Sequence, residues 1–314
     1  MRVSLCSPRQ GVVRRISVAA GVAAAAAVFA GGAGASSLLD RNATRVKIQV
    51  NKENVALISY RSFGRIPRRV VAWSALNALA VPNPTLQQEG FKIQYLGARG
   101  PIRTEIVKGT FHNACKPYRG PKLDWFVTGC TAPDGSFWAL QSWQRPLPNY
   151  GVKAKSKMEG AYELRLSHFS GALPLLVAKT DWAFGGKFDH MYGNFTYLGH
   201  PQFGFKSTSY GAPLDKFGVL IYLDTYNSAY GRGWHRENSF LTHLNSGIWC
   251  YSVNPHGPRP AGRGTKYRLT VQSPGVLPDI GFTTNGPGAY DAAKDQAANE
   301  EQAQSFSDNV CKPN

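Results

Sequence analysis

The sequence predicts an all-β fold: an antiparallel β-sandwich, or two packed β domains, with a short C-terminal helix and disulfide staples. Three observations carry this. Apolar and polar residues alternate in many short runs, the period of a strand with one buried face. Glycine, proline and asparagine punctuate the intervals, with 33 glycines and 20 prolines in the chain, as in sandwiches and barrels. Four cysteines follow what reads as an export signal, and an even number in an exported chain reads as disulfides.

The signal comes first. Arg2, Arg9, Arg14 and Arg15 precede an apolar run from Ile16 to Ala30, then Ala33-Gly34-Ala35, and no acid appears before Asp40. That is a charged n-region, an apolar h-region and a small-residue cleavage site, with the cut expected after Ala35. The rival reading is an uncleaved anchor, but about 15 apolar residues fall short of the roughly 20 that span a bilayer. The general secretory route is favoured. Arg14-Arg15 raises the twin-arginine route, which Ile16-Ser17-Val18 matches poorly. No later segment is apolar and long enough to span, so an extracellular or cell-surface location is expected.

The strands follow in order. Val46, Ile48 and Val50 alternate with polar neighbours, Asn51 to Asn54 turn the chain, and Val55 to Tyr60 return it as a hairpin. Val70 to Leu79 is ambiguous, its alanines favouring helix and Trp73 favouring strand. Phe91 to Leu96 and Ile102 to Phe111 alternate again. Leu123 to Val127 and Ser136 to Trp143 flank Pro133-Asp134-Gly135, in which proline presets one dihedral and glycine accepts positive φ, so these two should pair. The Arg145 to Gly151 stretch, followed by Lys153, Lys155 and Lys157, divides the chain into β-rich halves at 36–150 and 151–288. Beyond it, Tyr162 to His168, Leu175 to Phe184, Phe188 to Tyr197, Gln202 to Ser207, Phe217 to Leu223, Ile248 to Val253 and Lys266 to Val271 read as strands. Ala289 to Phe306 lacks glycine and proline and favours a helix or a partly disordered tail within 289–314.

Cys6 leaves with the signal. Cys115 pairs best with Cys130 and Cys250 with Cys311: the first closes a short loop and the second ties down the chain end. A zinc site is the alternative, but neither pair has C-x-x-C spacing. Four arginines and no acids leave with the signal, taking the net charge from +17 to +13 on 279 residues. Hydrophobic residues at 43% suffice for a real core. Partners outside a cell for such a chain are anionic: wall polymers, acidic polysaccharides, phospholipid head groups and released nucleic acid. Long-range attraction raises local concentration without specifying fold. The charge also fits plain solubility.

No nucleophile elbow, S-x-x-K, H-E-x-x-H, phosphate-cradling glycine loop or EF-hand is present, which excludes the easily recognised enzymes. No metal or other cofactor is implied, and no nucleic-acid fold signature accompanies the basic runs at Arg61–Arg69, Lys153–Lys157 and Arg259–Arg268. The richest segment holds Asp181, Trp182, Asp189, His190, Tyr192, Asp224, Trp234, His235, Arg236 and Glu237. Aromatic faces stack on sugar rings and carboxylates bond hydroxyls, so these are candidate ligand-binding residues; the competing account is β-propensity and core packing. Trp234 to Asn238, after Gly231-Arg232-Gly233, reads as a loop. Asp181, Asp189, Asp224 and Glu237 could supply a glycosidase pair, and Tyr192, His190 and Arg236 a polysaccharide lyase. A Trp182–Trp234 cleft would favour sugar chemistry, and burial of those rings would remove it. The expectation is a non-catalytic binder of an anionic or carbohydrate surface. The alternatives are a carbohydrate-active enzyme and a structural coat component.

Overall fold

A computed structural model describes residues 36–75, 78–79, 90–96, 111–144, 160–183, 185–186, 188–197, 200–201, 206–207, 213–214, 220–228, 231–236, 240–243, 248–253, 264–272 and 276–305. The segment 1–35 read as an export signal, the Lys153–Lys157 run, Glu237, Cys311 and the side chains of His190 and Cys250 lie outside them. The strands are β1 (Ser37–Arg41), β2 (Thr44–Val50), β3 (Ala56–Ser62), β4 (Ile66–Trp73), β5 (Ala78–Leu79), β6 (Lys92–Tyr95), β7 (Lys116–Pro117), β8 (Phe126–Thr131), β9 (Phe137–Gln144) and β10 (Tyr162–Ser170). After them come β11 (Leu175–Ala183), β12 (Phe188–Tyr197), β13 (His200–Pro201), β14 (Lys206–Ser207), β15 (Pro213–Leu214), β16 (Leu220–Ser228), β17 (Gly231–Arg236), β18 (Phe240–His243), β19 (Ile248–Val253), β20 (Lys266–Gln272) and β21 (Ile280–Asn285). Helix α1 (Ala292–Ser305) closes the chain. Pairing is antiparallel throughout except for the short β5–β10 contact. No described helix is long and apolar enough to cross a membrane.

Four sheets result. Sheet I is β2-β3-β4-β6; sheet II is β1-β10-β9-β8-β7 with β5 on β10; sheet III is β14-β15-β16-β20-β21 with β17 on β16; sheet IV is β11-β12-β19-β18 with β13 on β12. Alternation explains which faces meet, because side chains at every second position share a face. Val50, Ala56, Ile58, Val70 and Ala72 of sheet I share one core with Trp138, Leu140, Leu164 and Leu166 of sheet II. Leu176, Ala178 and Met191 of sheet IV share another with Leu223, Tyr267, Leu269 and Val271 of sheet III. The opposite face of sheet II carries Ala139 and Phe169, which pack with Val276 and Leu277. Because β9 and β10 are neighbours in sheet II, the segments before and after residue 150 share a sheet.

The predicted Pro-Asp-Gly hairpin is present. Ala132 N–H donates to Ser136 O at 2.8 Å and Gly135 N–H to Ala132 O at 3.0 Å, with Gly135 at φ 86°. Beside it, Cys115 and Cys130 form a disulfide with Cα atoms 5.7 Å apart, fixing β7 to β8 at the Pro117–Cys130 pair. The ambiguous Val70–Leu79 stretch is strand through Trp73, because Val70 and Ala72 are needed in the first core.

Closing a loop of 15 residues restricts the unfolded chain by about 3 kcal/mol. The Cys115→Ser/Cys130→Ser variant is therefore expected to lose about 2–3 kcal/mol in urea unfolding relative to the oxidised protein.

Candidate functional site

The candidate residues divide between two sheets. Asp181 lies opposite His190 and Trp182 opposite Asp189 on β11–β12 of sheet IV. Trp182 is 6% exposed. Its Nε1 donates to Ala289 O at 3.0 Å, and its ring meets Tyr290 edge-on at 5.8 Å, so it fastens the segment leading into α1. Asp189 is buried and accepts from the Tyr267 hydroxyl. Asp181 Oδ1 accepts from the Trp182 N–H at 3.0 Å. Tyr192 donates to Glu301 of α1 at 3.4 Å. Burial first, then the Glu301 and Asp181 carboxylates, raise its phenol.

Trp234, His235 and Arg236 are not on a loop as expected; they lie on β17. The reason is a tight return: Asn227 at φ 52° and Gly231 at φ 133° turn the chain, and Gly233 N–H donates to Asn227 Oδ1 at 2.9 Å. The glycines that read as a loop serve the irregular register between Tyr226 and Ser228. His235 is buried, its Nε2 3.0 Å from Arg232 O. Two of the four carboxylates considered for catalysis, Asp189 and Asp224, are thus buried with partners, and no described pair of free carboxyls faces a cleft. The two tryptophans sit on different sheets.

What does converge lies between sheets III and II. Arg236, Asp224 and Arg268 form one register row across β17, β16 and β20. Arg236 Nε donates to Asp224 Oδ1 at 2.6 Å. Arg268 Nη2 and Nε donate to Oδ2 at 2.6 and 3.1 Å. Asp224 is 0% exposed. Burial draws the Arg268 guanidinium down and Asp224 opposes it. The guanidinium lies 4.4 Å from the Trp234 ring, 4.9 Å from Trp143 and 5.9 Å from Trp125. Trp125 in turn packs on Trp143 at 4.7 Å and lies against Gly281, where a Cβ would stand 2.0 Å from its ring. Gln141 Nε2 donates to Asp279 O and Asp124 O, each at 2.8 Å. Sequence reading missed Trp125, Trp143 and Arg268 because their spacing carries no local signal.

A second missed cluster is Asp134, Ser136 and His168. Ser136 Oγ lies 2.6 Å from Asp134 Oδ1 and 2.8 Å from His168 Nε2. His168 Nδ1 faces Ala75 O at 3.1 Å, and its ring stacks on Trp138 at 4.1 Å. The residue types are those of a hydrolase, yet the carboxylate touches serine rather than histidine. Ser136 is 0% exposed, so no substrate reaches it. The cluster ties the hairpin to β10.

The strongest exposed feature is the β3–β4 hairpin. Arg61, Arg65, Arg68 and Arg69 are all exposed, as are Phe63 (52%) and Ile66 (50%). Lys47 extends the patch, in register with Ser59 and Arg69. No carboxylate occurs between Glu53 and Glu89. None of the four arginines forms an ion pair among the described residues. By contrast Arg268, from the third basic run of the sequence, is buried. Among the described residues no cluster of three or more His, Cys, Asp or Glu could hold a metal. The chain matches no protein-family model, no curated protein and no solved structure.

Two outcomes follow. Asp224→Ala removes the carboxylate that two buried guanidiniums share and is expected to destabilise by about 3–5 kcal/mol in chemical unfolding. Burial also lowers the His168 imidazole, with the Ala75 carbonyl and Asp134 opposing. The unfolded chain therefore takes up that proton first as pH falls below the ordinary 6.5, and native stability is lost over that range. At lower pH Asp134 adds to the loss: burial raises it, but Ser136 and Asn54 hydrogen bonds hold it below the usual carboxylate value. Thermal midpoints should fall from neutral to mildly acidic pH, and His168→Gln should flatten that slope.

Proposed function

We propose that the protein is an exported, non-catalytic binding protein that docks on an anionic surface at the cell exterior. In this reading sheets I and II are the two layers of a β-sandwich that carries the β3–β4 hairpin, with the turn at Phe63–Arg65 exposed. One observation carries it: four exposed arginines lie on a single hairpin that contains no acid. Unpaired like charges on neighbouring strands repel one another, which is unfavourable for the fold. A polyanion removes that repulsion. Arginine also matches carboxylate and phosphate oxygens in a bidentate fork. The +13 charge expected for the mature chain, from +17 less the four arginines of the signal, adds attraction at a distance. The enzymatic reading loses support from the engagement of Asp189 and Asp224.

The test is retention on wall polymer or on an acidic polysaccharide such as heparin. Retention should weaken steeply with salt, since exposed charges are screened within about 10 Å at 0.1 M. Arg65→Gln/Arg68→Gln/Arg69→Gln should weaken it at least roughly tenfold, at about 1 kcal/mol per arginine near an anionic surface, with an unchanged melting temperature. Salt-independent retention, or equal retention by the triple variant, counts against the reading.

A further inference from the structure

Resting on that reading, we infer that the anionic surface is a lipid bilayer and that the β3–β4 hairpin inserts its tip into the headgroup region. Charge alone does not separate lipid from soluble polymer; the apolar residues at the tip do. Phe63 and Ile66 are 52% and 50% exposed, set among Arg61, Arg65, Arg68 and Arg69. A sugar ring of a soluble polyanion can cover one face of the phenyl ring but leaves the Ile66 side chain in water, so it does not take up both apolar residues of the tip. A bilayer interface offers phosphates to the guanidiniums and an acyl boundary to the ring, the pairing used by interfacial amphipathic segments.

The turn itself argues that Phe63 is not there for folding. Arg65 N–H donates to Ser62 O at 3.0 Å, and both central residues have positive φ, 47° at Phe63 and 73° at Gly64. That is the requirement of a type I′ turn, which favours Asn-Gly. A phenylalanine in the left-handed region is strained, and strain held at an exposed apex points to a use outside the fold. The reach fits as well. Tyr60 and Ser62 on β3 are still buried opposite Arg68 and Ile66, so what stands clear of the core is the turn from Phe63 to Arg65 together with the outward side chains of Ile66 to Arg69. Interfacial segments bury about 5–10 Å. Arginine stems can lie along the same depth with their heads at the phosphates.

The experiment uses the mature chain with vesicles of phosphatidylglycerol and phosphatidylcholine, vesicles of phosphatidylcholine alone, and a heparin column in parallel. The wild type should sediment with the anionic vesicles only. Phe63→Asn/Ile66→Ser should lose vesicle affinity roughly tenfold while keeping heparin retention, and Phe63→Asn alone should raise the melting temperature because it suits the turn. The indole emission of a Phe63→Trp variant should shift to the blue on anionic vesicles. If Phe63→Asn/Ile66→Ser binds vesicles like the wild type, or the emission of the Phe63→Trp variant does not move, insertion is wrong and adsorption is by charge alone. Heparin retention without vesicle binding overturns the bilayer and leaves the anionic-surface reading standing. Failure of both overturns both.

Discussion

The Asp224 carboxylate, held between the Arg236 and Arg268 guanidiniums, is the constraint on which the join between sheets II and III depends. Sheet III is covered on both faces. Its apolar face meets sheet IV through Leu223, Leu269 and Val271. Its other face carries a row of three charges and still lies against the tryptophans of sheet II. Removing each such charge from water costs several kcal/mol unless partners replace the solvent. Here both cations donate to the carboxylate, and the rings of Trp143 and Trp234 face the Arg268 guanidinium. The quadrupole of an indole is suited to that. Gln141 and Asp279 exchange two hydrogen bonds across the same seam.

The fold was legible where the signal was local. Alternation with period two gives β2, β3 and β10, and Pro133-Asp134-Gly135 gives the β8–β9 turn. The short separation of Cys115 and Cys130 gives their disulfide, and the composition after Ala289 gives α1. Strand β10 shows where local reading stops. Glu163, Arg165 and Ser167 alternate with leucines and read as a wet face, but all three are buried. Arg165 bonds Glu163 and Ser36 O, and Glu163 also takes Arg41, far away in sequence. A polar residue satisfied by a distant partner looks the same, in sequence, as one satisfied by water.

The candidate site was less legible for the same reason. Asp224, Trp234 and Arg236 were picked out by residue type and do come together. They are joined by Arg268, Trp143 and Trp125, which nothing in their spacing associates with them. His168 showed in the sequence only as the end of a predicted strand; the contacts of its ring with Ser136 and the Ala75 carbonyl were not foreseeable. The arginines of the hairpin were visible as a run. Their exposure, and that of Phe63 and Ile66, required the fold.

The placement of acids sharpens what that exposure means. The chain has 19 acidic residues against 36 lysines and arginines, and Glu163, Asp189, Asp224, Asp279 and Asp295 are buried. Glu163 and Asp224 pair with buried arginines, while Asp189, Asp279 and Asp295 accept from Tyr267, Trp143 and Gly186; the arginines of the hairpin have no ion-pair partner among the described residues. Two residues show the same division in the backbone. Trp125 and Phe63 both hold positive φ, at 55° and 47°. Trp125 is compensated inside the protein, by Trp143 and the bare face of Gly281. Phe63 has no comparable cradle among the described residues and is 52% exposed, so no packing contact of its ring repays the left-handed backbone there.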